Sequence, residues 1–150
     1  MKVPMKGNHH VTATVNDDQE DLDFYMKQLG MRLVEKTVNF DNNKVYHFYY
    51  GNEMGKPGTI MTTFPYKGHN VRTGVKGTGQ PTVTSFSVPS RSRVFWKNRL
   101  SEFGVALKSE STRFGEWVLS FDDPSALTIE LIGSEDTREP WLDGPIDVAN

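Results

Sequence analysis

The feature that most constrains this 150-residue chain is an order of elements, strand, helix and three strands, that occurs twice. In the first copy, residues 9–15 set Val11, Ala13 and Val15 against His10, Thr12 and Thr14, the two-residue period of a half-buried strand. Asp17 and Asp18 break that period and suit the negative first turn of a helix, whose apolar residues are Leu22, Phe24, Tyr25 and Leu29 and whose stop is Gly30. Residues 32–40, 45–50 and 59–64 are rich in β-branched and aromatic side chains and read as strands, separated by Asp41-Asn42-Asn43 and by a loop over 51–58.

The order then recurs. Residues 82–88 alternate again, 94–103 have helical spacing before Gly104, and 117–121 and 127–132 read as strands. Aligning the copies puts Val15 on Val88, Gly30 on Gly104, Tyr50 on Phe121, and Thr59-Ile60-Met61 on Thr128-Ile129-Glu130. The expected fold is therefore α+β, with two βαβββ modules forming an open, barrel-like cleft and helices near 18–29 and 91–103. A parallel sheet, or helices outnumbering strands, would be incompatible with it. One domain over 1–150 is expected: module one at about 7–66, a Gly- and Thr-rich connector at 67–81, module two at about 82–133, and a tail at 134–150. Curled sheets that pack a helix on one face leave the other for a ligand.

Composition narrows the chemistry. A net charge of −2 without a basic tract argues against a nucleic-acid partner. No apolar run approaches a membrane span or a signal peptide, so no membrane association is expected. With no cysteine, any metal must rest on histidine and carboxylate, and a cytoplasmic location is the expectation.

Since Val11, Ala13 and Val15 should pack on the helix, His10, Thr12 and Thr14 should face the cleft and His9 should point away. His10 is the candidate metal ligand of the pair; the alternative is a hydrogen-bonded or solvent-facing strand histidine. Glu130 lies in the apolar run Leu127-Thr128-Ile129-Glu130-Leu131-Ile132, where a carboxylate must reach solvent, meet a cation or bind a metal. By the alignment of copies, His10 corresponds to Val83 and Glu130 to Met61, and neither counterpart is a hard-cation ligand. His47, between Tyr46 and Phe48, either assists the site or packs in the core, and His69 falls in the solvated connector.

Asn8-His9-His10-Val11-Thr12, Asp23-Phe24-Tyr25, Leu29-Gly30 and the stretch from Leu33 to Asp41 resemble the opening of the glyoxalase/bleomycin resistance/extradiol dioxygenase, or vicinal oxygen chelate, superfamily. More narrowly, Tyr46-His47-Phe48-Tyr49-Tyr50-Gly51, the run from Pro57 to Pro65, Thr112-Arg113-Phe114-Gly115-Glu116 and Asp136-Thr137-Arg138 resemble the N-terminal half of hydroquinone and chlorohydroquinone ring-cleaving dioxygenases. The resemblance implies paired βαβββ modules, an Fe(II) or Mn(II) cofactor and cleavage of a small aromatic, hydroquinone-like substrate. It carries the family's metal-binding histidine onto His10 and site-lining positions onto His9 and Thr12. The family enzymes have four modules, and their other histidine and their glutamate lie in the half absent here; Glu130 matches the glutamate by internal symmetry alone.

Two functions follow as expectations. One is a metal-dependent ring-cleaving dioxygenase domain or half-subunit, working as a homodimer or with a C-terminal-half partner. The other is a glyoxalase-like lyase or a small-molecule-sequestering resistance-type protein. Identical copies are not expected to assemble two histidines and one acid from the symmetry-related positions, because each pairing of modules leaves a ligand missing.

Overall fold

The computed structural model describes residues 7–72 and 74–135; the motif at 136–138 and nearly all of the expected tail lie outside them. Eight strands and two helices follow the duplicated order: β1 (His10–Val15), α1 (Asp18–Leu22), β2 (Arg32–Val38), β3 (Tyr46–Gly51) and β4 (Ile60–Pro65), then β5 (Val83–Pro89), α2 (Arg93–Glu102), β6 (Leu107–Arg113), β7 (Glu116–Asp122) and β8 (Thr128–Ser134). Each copy forms one mixed sheet, ordered β1-β4-β3-β2 and β5-β8-β7-β6. In both, the first strand pairs parallel with the last and the remaining pairs are antiparallel. The sheets do not close into a barrel, and the architecture is the expected α+β pair of modules. Among the described residues, no helix is long and apolar enough to cross a membrane.

The first helix departs from the expected regular one. Asp17 caps it, accepting from the Gln19 and Glu20 amides at 2.9 Å, but after Leu22 the chain widens into a π-helical turn over Asp23–Gln28. The widening lets two adjacent rings, Phe24 and Tyr25, both be buried, although neighbours on a regular helix point about 100° apart. Phe24 lies 6.3 Å from Phe121 of the second module, and Tyr25 stacks on Tyr50 of its own sheet at 4.9 Å. Gly30, at φ +67, then ends the segment. The second helix starts from a 3₁₀ turn at Ser90–Ser92 and buries Trp96 and Leu100, one helical turn apart.

One apolar cluster spans both modules, joining Phe24, Tyr25, Phe48, Tyr50 and Met61 to Trp96, Leu100, Leu119, Phe121 and Ile129. Polar contacts reinforce the junction: the Asn16 amide donates to Ser125 Oγ at 2.8 Å, and Arg99 donates to the Lys27 and Gln28 carbonyls at the end of the first helix.

Gly133 shows how tightly the second sheet is packed. The Trp117 indole lies across it, where a Cβ would overlap the ring, and Trp117 Nε1 donates to the Ser90 carbonyl at 2.6 Å. Gly133→Ala should therefore displace the indole and cost about 2 kcal/mol or more. Urea unfolding followed by tryptophan fluorescence would measure it, and an unchanged midpoint would contradict this packing.

Candidate functional site

Strand register sorts the first module's residues onto two faces. Toward the helix lie Val11, Met61, Tyr50 and Leu33; on the open face, Thr14 pairs with Phe64, Thr12 with Thr62, Thr62 with Tyr49, and Tyr49 with Glu35. His10, opposite Ile60, and His47, opposite Thr37, share that open face. The strand argument thus holds for His10 and Thr12, both exposed on the side away from the core.

His9 does not point away. Its Nδ1 lies 3.0 Å from His10 Nδ1, with the rings edge to face. The strand begins only at His10, so pleat alternation does not govern the preceding residue. Instead, the Gly58 amide donates to the His9 carbonyl at 2.8 Å, tying the residue to the loop before β4. Gly58 makes this approach at φ +89, a conformation suited to glycine.

His47 is half-buried rather than free in a cleft. Its ring stacks on Phe64 at 4.0 Å and lies against Tyr49 at 4.1 Å. Burial, and secondarily the charge of nearby His10, lower its pKa, while Glu35 acts in the opposite sense. Its Nε2 is buried without a protein partner. The open face of this sheet is therefore an imidazole and aromatic surface beside threonine hydroxyls, able to stack a flat ring and to accept a hydrogen bond from it.

In the second module the same face carries Ser85, Glu130 and Ser120, each paired with the next across the sheet. Glu130 meets a cation: Arg113 donates to its Oε2 at 2.6 Å and Ser85 Oγ donates to the same atom at 2.7 Å. Burial pushes the carboxyl's pKa upward, but the guanidinium and the hydroxyl outweigh it and hold Glu130 below the usual glutamate range. Arg113 is the partner that inspection of Glu130's own strand misses. Its signal is the short hairpin Arg113-Phe114-Gly115-Glu116, which places it on Glu130's face.

The alignment of the two copies also needs correction. Tyr50 pairs with Met61 and Phe121 with Ile129, so Met61 is equivalent to Ile129, and the counterpart of Glu130 is Thr62. A one-residue slip exchanges the faces of a strand, and Met61 is indeed core. The Thr62–Thr12 hydrogen bond, 2.9 Å, is thus the first module's version of the Ser85–Glu130 bond.

These residues do not amount to a complete metal centre. His10 Nδ1 is engaged by His9, Glu130 by Arg113 and Ser85, and among the described residues no three His, Asp or Glu side chains are grouped to hold an ion. His69 is exposed in the connector and takes no part.

Replacing Arg113 with methionine should leave the Ser85 hydroxyl alone to oppose burial and should raise the Glu130 titration. A carboxyl-detected NMR titration reads this directly; an unmoved midpoint would mean that Arg113 does not hold the carboxylate.

Residues 7–131 match the profile of the glyoxalase/bleomycin resistance protein/dioxygenase superfamily. The chain is 48% identical over 146 residues to MhqO of Bacillus subtilis, a candidate ring-cleaving dioxygenase, covering 95% of this chain and 46% of MhqO. It is 39% identical over 148 residues to the chlorohydroquinone/hydroquinone 1,2-dioxygenase of Sphingobium indicum, covering 94% and 46%. A crystal structure of a candidate dioxygenase from Bacillus subtilis superposes with a TM-score of 0.87 at 47% identity, over 95% of this chain and 45% of that one. The chain thus spans somewhat under half the length of the relatives it matches, and it belongs to the glyoxalase/bleomycin resistance protein/dioxygenase superfamily.

Proposed function

We propose that this chain is a two-module half of a metal-dependent ring-cleaving dioxygenase that acts in the cytoplasm on a small, hydroquinone-like aromatic. The observation that carries this reading is the identity, close to half, with candidate ring-cleaving enzymes over nearly the whole chain. Family membership implies a divalent metal; Fe(II) or Mn(II) is our assignment, with His10 as the ligand this half contributes. Module one at about 7–66 would supply that histidine, and a C-terminal-half partner would supply what is missing.

The chain's own residues would bind and orient the substrate. Phe64, Tyr49 and His47 offer an aromatic surface on the same face as His10, and the exposed Thr12 and Thr14 hydroxyls offer acceptors for a ring hydroxyl. Thr12 and His9 border it. No chemical step is assigned to the metal, because the described residues do not complete its shell. Arg113 and Ser85 both bond to Glu130 Oε2, so a metal would share this carboxylate with a guanidinium, through Oε1. That charge pairing favours a second reading, a glyoxalase-like or small-molecule-sequestering protein that uses the aromatic face without a metal.

Correcting the copies' alignment leaves the assembly argument intact. Pairing first modules of two identical chains would bring together His10 and Thr62 from each, with no acid at these positions. Purified alone and loaded anaerobically with Fe(II), the homo-oligomer should bind iron weakly and turn over little hydroquinone, and a C-terminal-half partner should restore both. Stoichiometric, tightly held iron with turnover that persists in His47→Ala would overturn this assignment.

A further inference from the structure

A chain of buried polar groups crosses the junction between the modules, on the side of the first sheet opposite the histidines. Asp21 of the first helix is 3% exposed, and its Oδ2 accepts from Tyr50 at 2.7 Å and Thr63 at 2.6 Å. Tyr50 stacks on Tyr25, whose hydroxyl donates to Asp123 Oδ2 at 3.1 Å. Asp123, 6% exposed, closes the turn between β7 and β8 by accepting at Oδ1 from the Ser125 and Leu127 amides, both at 2.8 Å. The same turn receives the Asn16 amide on Ser125 Oγ. The second module's turn is thus held to the first module at two points.

Neither buried acid has an ion-pairing base among the described residues. Among the described residues, the charged and titratable groups that face Asp21 are Asp123, Asp18 and the Tyr50 and Tyr25 phenols; those that face Asp123 are Asp122, Tyr25 and Asp21. Lys108 is engaged by Asp122. Apart from that lysine, the surroundings offer hydroxyls, amides and further carboxylates, so ionising both acids sets like charges together in a medium that screens them poorly.

We propose that the chain Asp21–Tyr50–Tyr25–Asp123 is a proton-operated latch that fastens the β7–β8 turn to the first module when Asp21 is neutral and loosens it when Asp21 is ionised. This does not depend on the proposed enzymatic function. Burial, opposed by the Thr63 and Tyr50 hydrogen bonds, raises the Asp21 pKa to about 6, and burial raises that of Asp123 as well. Because the folded value lies above the unfolded one, the stabilisation is full below the ordinary aspartate range and is lost as pH rises through about 6.

The test uses the whole chain at constant ionic strength between pH 4.5 and 8, pairing urea unfolding with amide hydrogen exchange. In the wild type, the urea midpoint should fall as pH crosses about 6, and protection of the Asn16 and Leu127 amides should drop about tenfold or more beyond the decrease that the sheet interiors share with global stability. Asp21→Asn keeps the acceptor oxygen but cannot ionise, so its midpoint should lose most of the wild-type fall across that window, keeping only the slope due to groups such as Asp123 and His47, and should exceed that of the wild type at the upper end. A full wild-type slope retained in Asp21→Asn, or a loss of protection at Asn16 and Leu127 no larger than that of the strands, would overturn the latch. Should that variant fail to fold, Tyr25→Phe removes the bond to Asp123 and leaves both partners of Asp21. It should lower protection at Asn16 and Leu127 at every pH, with the Asp21 carboxyl still titrating near 6 by NMR. Unchanged protection, or an Asp21 midpoint in the ordinary aspartate range, would refute the proposal.

Discussion

The two modules stand or fall on one aromatic core. Neither sheet can cover its inner face with its own short helix, so Phe24 reaches across to Phe121 while its neighbour Tyr25 stays home on Tyr50. That division of labour requires adjacent side chains to enter the interior together, and the π-helical turn makes it possible at the expense of regular helical hydrogen bonds. The open faces that carry the candidate site are positioned by this packing on their backs. A change in how Phe24 seats against Phe121 would therefore reach the histidine face without touching it.

The same arrangement explains which parts of the molecule were legible in the sequence. Alternation in β1 is plain because one side is apolar and the other polar, and the duplication shows because each helix ends in a glycine that must adopt positive φ, Gly30 and Gly104. The π-helical turn left no signal: a hydrophobic pair such as Phe24-Tyr25 fits a regular helix equally well on paper. The slip at Glu130 arose from matching Thr-Ile in both copies. The loops before β4 and β8 differ in length, and only the hydrogen-bonded register shows that Thr128 belongs opposite Val83 as Ile60 does opposite His10.

The candidate site was readable where it depends on a strand's period and obscure where it depends on a neighbour. His10 and Thr12 follow from alternation. His9 does not, since its position comes from a glycine amide about fifty residues later in the chain. Glu130 looked like an orphan charge in an apolar run, and its partner Arg113 became apparent only once a tight hairpin laid one strand beside another. Long-range pairings of this kind are set by tertiary geometry, which local periodicity does not encode.

The equivalence of Thr62 and Glu130 carries a wider meaning. At that station of each sheet, a hydroxyl on the first strand, Thr12 or Ser85, bonds to whatever the last strand presents, an alcohol in one module and an acid in the other. The backbone around the two is alike, and the fold tolerates either group. Charge at this point is thus an interchangeable fitting rather than a structural member. Moving an acid to the other half of such a chain would take a pair of side chains, the carboxylate and a cation such as Arg113 to hold it, on a backbone that both halves already share.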